Sequence, residues 1–320
     1  MTRLGIMIEG QEGLNWERWN RLIEAADTLG FDSLWRSDHL FSVMGESQRE
    51  TLSLWPSLTA VGLRSARLEF GQLVSPTTYR NPVHLAMDAV ALDRLSGGRF
   101  WLGVGAGWNE REHAAFGFEL WPLKERMDRF EEALQVITRL WSGDAVSFEG
   151  RHFHLDGAQT GLAPTRTTGV PIMIGGSGER RTLRLVAEYA SEWNCTTIGH
   201  EAYEAKVAVL ERHCRDVGRD PSTIQRSLML GHIVGASEDE LRRRAAAVQS
   251  VVPGLREQPV DEIIERQRGR GWLVGTPDEL VQQVRAWGSR GVTRIMLQTF
   301  DMDDIDALRL IAAEVLPRVA

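Results

Sequence analysis

The sequence predicts an α/β protein, a single (β/α)8 TIM barrel spanning residues 1–320 with insertions at its C-terminal mouth. Three observations predict it. Short apolar segments alternate with amphipathic ones, the strand segments number eight, and no shift in composition marks a second domain. The chain opens on an apolar run, Leu4 to Ile8. A helix follows, in which Trp16, Trp19, Leu22, Ile23, Ala26 and Leu29 recur at helical spacing until Gly30 ends it. Ser33 to Trp35, Leu68 to Val74 and Phe100 to Val104 are the next strands, and a long helix is expected from near Lys124. Val146 to Leu155 alternates as a hairpin around Glu149-Gly150 and reads as an insertion. Pro171 to Ile174 is a strand with a helix expected from about Glu179, and Glu192 to Cys195 and Gln225 to Ile233 follow. Past a helix beginning near Glu238, Val251 to Leu273 mixes Pro, Gly and charge, which reads as a second insertion. Thr276-Pro277-Asp278-Glu279 then starts a helix, because Thr caps, Pro suits the first turn and acids favour the positive helix end. Arg294 to Gln298 is the eighth strand.

Composition excludes several function classes. A formal charge of −7 and dispersed basic residues argue against nucleic-acid binding. No apolar run approaches the roughly 18 residues of a membrane span, and the N-terminus lacks the apolar core and cleavage site of a signal peptide, so a cytoplasmic protein is expected. Cys195 and Cys214 are too few for a disulfide framework and are expected as thiols. The eight histidines include no HExxH, and His152 and His154 alternate along the hairpin, so no metal site is expected. Apart from Lys124 and Lys206, the side-chain positive charge is arginine.

In a barrel, functional groups gather where strands end and the loops to the helices begin. Ser37-Asp38-His39 follows the second strand and brings a carboxylate together with an imidazole able to act as acid or base near neutral pH; the pair also reads as a loop histidine beside a helix-capping aspartate. Glu9, after the first strand, is a second acid/base candidate or a solvated loop carboxylate. The fourth strand runs into Gly103-Val-Gly105-Ala106-Gly107-Trp108-Asn109-Glu110, whose glycines let backbone approach a flat ligand, although with the long helix beginning only near Lys124 this is not a dinucleotide fingerprint. The fifth ends in Gly175-Gly176-Ser177-Gly178, small residues ahead of a helix, the pattern of a phosphate turn or of a plain tight turn. Trp16, Trp108 and Trp193 are either pocket walls or packing residues.

Taken in order, Trp35-Arg-Ser-Asp38-His39, Tyr79-Arg80-Asn81-Pro82, Asp93 through Phe100, Gly103 through Glu110, Ile174-Gly-Gly-Ser177 and Val274-Gly275-Thr276-Pro277 resemble the bacterial-luciferase-like family, and within it the branch that uses the deazaflavin F420. The resemblance covers most of the chain. It implies a flavin or deazaflavin ring over the barrel mouth with its phosphate on Gly175, Gly176 and Ser177, Asp38 orienting cofactor or substrate, and His39 beside the reactive ring carbon. Gly105, Ala106, Gly107 and Asn109 match the family's cofactor loop. The family's bulge with a non-prolyl cis peptide falls on Gln72-Leu73 or Leu73-Val74, which adds Gln72, Leu73 and Val74 to the cofactor contacts. One departure matters: the deazaflavin sugar-phosphate dehydrogenases carry a glutamate after the GxG of strand four, whereas Trp108 and Asn109 follow Gly107 here, which puts a sugar-phosphate substrate in doubt.

The expected activity is hydride transfer between F420 and a small organic substrate, with His39 handling a proton. The alternative is an FMN-dependent monooxygenase working with a separate flavin reductase; a deazaflavin lacks the ring nitrogen that supports oxygen chemistry. A non-catalytic flavin-binding barrel is a third reading, disfavoured by the presence of both Asp38 and His39. The expected partners are a small-molecule substrate, a second copy in a homodimer, and a separate flavin or F420 reductase.

Overall fold

Eight strands alternate with helices in the computed structural model, which describes residues 1–45 and 48–319. They are Arg3–Ile8, Ser33–Arg36, Glu69–Gln72, Phe100–Gly105, Ile172–Gly175, Glu192–Thr196, Gln225–Val234 and Arg294–Thr299, with no expected boundary displaced by more than two residues. Pairings such as Ile8↔Thr299, Ile8↔Arg36 and Val104↔Ile174 are parallel, and the fold class is the α/β (β/α)8 TIM barrel. Two further short strands were not foreseen, Ser75–Pro76 and Leu273–Gly275. The chain forms two compact units.

The first unit comprises residues 1–52, 194–209 and 225–320. Leu4, Ile6, Met7 and Ile8 are all buried, a continuous apolar run rather than an alternating one, as expected of a parallel strand covered on both faces. The helix Trp16–Thr28 begins because Asn15 caps it, its side chain accepting from the Arg18 amide at 3.0 Å, and it buries Trp19, Leu22, Ile23, Ala25 and Ala26. Gly30, at φ +88°, turns the chain where a side chain would be strained. At the other end of the strands, Asp32 receives Arg3 and the fully buried Arg294, each at 3.0 Å. The insertion after Val251 holds a helix, Val260–Gly269, and returns to the C-terminal end of Gln225–Val234, where His232 pairs with Leu273. Trp272 stacks on Phe300 there at 5.0 Å between centroids, inside a cluster with Ile233, Leu241 and Ile263. Thr276 and Glu279 form the full capping box of the helix Pro277–Gly288.

The second unit comprises residues 53–193 and 210–224. Its strands are flanked by the helices Leu54–Arg64, Pro82–Ser96, Glu110–Phe116, Leu123–Leu140 and Thr182–Tyr189. Asn81 caps the second of these and Gly97, left-handed at φ 66°, ends it. The stretch Asp93 to Arg99 proves to be structural: buried Asp93 accepts from the Thr165 amide at 2.7 Å, and Arg99 donates to the carbonyls of Gly62, Leu68 and Ser96. The hairpin forms as an antiparallel pair, Val146–Glu149 with His154–Ala158. It sits between the helix Leu123–Leu140 and the strand Ile172–Gly175. A helix-to-strand connection opens at the N-terminal ends of the strands, so this insertion does not belong to the C-terminal mouth as expected.

Candidate active site

In the first unit the register makes Ile8, Arg36 and Thr299 level, so Glu9, the segment after Arg36 and Gln298 share one end of three adjacent strands. Glu9 is buried rather than solvated; its two oxygens accept from Gln298 Nε2 at 2.5 Å and Gln11 Nε2 at 2.9 Å. Gln11 in turn accepts from Ser37 Oγ, which accepts from the Gly10 amide at 2.9 Å. Both carboxylate oxygens thus anchor side-chain amides, which makes Glu9 a positioning group in this structure. Arg36 is buried, donating to the carbonyls of Ser37 and Leu52, and its guanidinium fills the space a Cβ on Gly10 would enter at 2.3 Å. Asp38 is buried, and His39 next to it is partly exposed.

The segment beyond His39 is pinned by a residue that sequence reasoning missed. Buried Glu12 accepts from Ser42 Oγ at 2.7 Å, the Val43 amide at 2.9 Å, the Met44 amide at 3.2 Å and Arg49 Nη1 at 2.8 Å. Four donors on one carboxylate satisfy a charge that burial would otherwise penalise. His232, near the end of its strand, is different: burial pushes its imidazole down to about 4, so it is neutral at pH 7 and packs against Thr299 Oγ1 at 3.1 Å.

In the second unit the Leu73-Val74 peptide is cis, the second of the two bonds expected. Ser75 and Pro76 then pair with Val104 and Gly105. The glycines around this turn make room for protein as well as for any ligand. A Cβ on Gly105 would lie 2.9 Å from Val74 Cγ2, one on Gly175 3.0 Å from Val74 Cγ1, and one on Gly103 1.8 Å from the Gln72 carbonyl oxygen. The Val74 side chain therefore sits against two of the glycines read as ligand contacts. Leu73 is buried, and Gln72 is fully buried with neither side-chain amide atom hydrogen-bonded among the described residues.

Past Gly105, Ala106 is half-buried and Gly107 adopts φ +77°, where a Cβ would also meet Thr78 Oγ1 at 2.5 Å. Asn109 caps a helix that had not been foreseen, accepting from the Glu112 amide at 3.2 Å. The glycine run thus does lead into a helix, Glu110–Phe116, ahead of the long one at Leu123–Leu140. His113, also missed, is buried and locks this turn: its Nδ1 lies 2.6 Å from the Asn109 carbonyl and its Nε2 2.7 Å from Thr78 Oγ1. Because a carbonyl only accepts, Nδ1 carries a proton and donates it to the Asn109 carbonyl. The Asn-x-x-x-His spacing of a cap followed by one helical turn was its only signal.

Gly176, at φ +124°, is exposed with Ser177 and Gly178. Trp193 is fully buried and donates from Nε1 to the Gly176 carbonyl at 2.8 Å, so it holds the turn from behind and is no pocket wall. Trp16 and Trp108 are 46% and 64% exposed. The amides of Gly176, Ser177 and Gly178 donate to no acceptor among the described residues, leaving consecutive backbone donors in a turn of the kind that receives phosphate. The next helix begins at Thr182 rather than near Glu179. Arg181 precedes it and is engaged by Asp128 at 2.6 Å and Glu131 at 3.0 Å. Among the described residues no group of three or more His, Cys, Asp or Glu side chains is placed to hold a metal ion, and no helix is long and apolar enough to cross a membrane.

Residues 2–294 match the family described as luciferase-like monooxygenase. The chain is 30% identical over 320 residues to the F420-dependent hydroxymycolic acid dehydrogenase of Mycobacterium tuberculosis, a match covering 94% of this chain and 85% of that protein. It is 31% identical over 318 residues to F420-dependent glucose-6-phosphate dehydrogenase 1 of Rhodococcus jostii, covering 92% of this chain and 91% of the relative. The solved structure of an F420-dependent secondary alcohol dehydrogenase in complex with an F420-acetone adduct superimposes with a TM-score of 0.80 at 20% identity, covering 100% of this chain and 99% of the other, and shares its fold. The chain belongs to the luciferase-like family and is an oxidoreductase.

Proposed function

We propose that the protein uses F420 to transfer hydride to or from a small organic alcohol or carbonyl compound. The carrying observation is the identity, over more than nine tenths of the chain, to dehydrogenases named as F420-dependent. The donor set fits such a cofactor: the Gly176, Ser177 and Gly178 amides suit its phosphate, and Leu73, Val74, Gly105, Ala106, Gly107 and Asn109 are the family-matched positions for its ring. When bound, F420 supplies the carbon that accepts or gives the hydride.

The residues of the chain handle the rest. Alcohol oxidation leaves a proton at the substrate oxygen, and His39 takes it; in the reverse direction His39 returns it. Asp38 orients that histidine or the ligand. Glu9, through Gln11, and Glu12, through Ser42, Val43, Met44 and Arg49, keep the backbone around them in place.

An anaerobic assay with no added reductase tests this. Mixing enzyme, F420 and a panel of secondary alcohols should bleach the deazaflavin absorbance, and reduced F420 with the matching ketones should restore it. Turnover seen only with reduced FMN and oxygen would refute the proposal.

A further inference from the structure

The second unit contains a cavity of about 270 Å³ whose lining includes no residue of the candidate active site. Met87, Val90, Leu140, Trp141 and Leu162 give it apolar walls, and Asp88 of the helix Pro82–Ser96 is its one ionisable lining group. The walls are held in place. Trp141 donates from Nε1 to the Ala86 carbonyl at 3.1 Å, and Thr160 Oγ1 donates to the carbonyls of Leu140 and Leu162. Met87 and Leu162 are each 50% exposed, so the cavity opens to solvent along an apolar rim.

Asp88 is half-buried and makes no hydrogen bond or ion pair with any described residue. Burial raises its carboxyl above the ordinary aspartate range, against the opposing pull of His84 and Arg80. A half-buried carboxylate that feels His84 and Arg80 at a distance, without an ion pair to either, gains from a direct cationic partner, and a cation carrying apolar surface of its own suits these walls. An aromatic wall adds to that preference, since a cation near an indole is attracted to the ring.

We propose that this cavity binds a small organic ammonium ion, its charged head on the Asp88 carboxylate and its aromatic or alkyl stem against Leu140, Trp141 and Leu162. An anionic ligand would face Asp88, and a neutral one would bring it no direct cationic partner.

Calorimetric titration of the full-length protein with phenethylammonium, 2-phenylethanol and 3-phenylpropionate tests this. Phenethylammonium should bind saturably at one site per chain, at least tenfold tighter than the neutral alcohol, and the carboxylate should not bind. Asp88→Asn, which keeps the side-chain shape, should abolish the preference for the cation. Ala91→Phe, which fills the lining, should abolish binding of both phenethylammonium and the alcohol while the unfolding midpoint of both variants stays near that of the parent. Absence of saturable phenethylammonium binding, equal affinity for the alcohol, or unchanged binding in either variant would overturn the proposal.

Discussion

Replacing His39 with alanine should lower turnover by roughly a hundredfold or more while cofactor affinity stays within a few fold, the pattern of a lost acid/base rather than a lost binding contact. The backbone should survive the change. His39 follows a strand locked in register with Arg3–Ile8, and the segment after it is fixed by the four bonds to Glu12, none of which involves the imidazole. Steady-state kinetics on an identified substrate, together with a fluorescence titration of the cofactor, separates the two effects. Unchanged turnover would remove proton transfer from His39. Glu9 would be a poor replacement, since both its oxygens already accept from glutamine amides.

Gly103→Ala should be the most damaging of the small substitutions at the strand ends. The added methyl would lie 1.8 Å from the Gln72 carbonyl oxygen, a backbone atom that cannot rotate away, and 3.3 Å from Val74 Cγ1. Relief requires the strands Glu69–Gln72 and Phe100–Gly105 to part where Gly71 pairs with Trp101. Overpacking of this kind costs about 1–3 kcal/mol, occasionally more, and a clash with backbone belongs at the upper end. Urea unfolding of the variant should show a loss of about 3 kcal/mol. Gly254→Ala, where nothing lies within 4 Å of the added carbon, is the control, expected within about 0.5 kcal/mol of the parent. A Gly103 variant as stable as the control would show that the turn carrying Val74 is not packed as described.

Strands such as Arg3–Ile8 and Phe100–Gly105 were legible because each carries a run of apolar residues that stands apart from the helical periodicity around it. Ser75–Pro76 and Leu273–Gly275 were not, since two or three residues carry no period and these pair only because tertiary structure brings them alongside a longer strand. The helix Glu110–Phe116 escaped notice for a related reason: Glu-Arg-Glu-His-Ala-Ala-Phe has almost no apolar face, and only the Asn109 cap announces it. Motif glycines were visible as glycines, but their reason was not. Gly105 and Gly175 face Val74, a residue about thirty positions from one and a hundred from the other. Glu12 and His113 are of the same kind, ordinary residues in the chain that acquire a role only through partners such as Arg49 and Thr78. The hairpin was recognised as a hairpin and assigned to the wrong end of the strands, because an alternating pattern says nothing about which connection it interrupts.

This member of the luciferase-like family is expected to work with F420. Titrating the purified apoprotein with F420 and with FMN in parallel, following absorbance and fluorescence, addresses it most directly. Saturable binding of F420, with FMN at least tenfold weaker, is the expected result. Tight FMN binding with no response to F420 would contradict it.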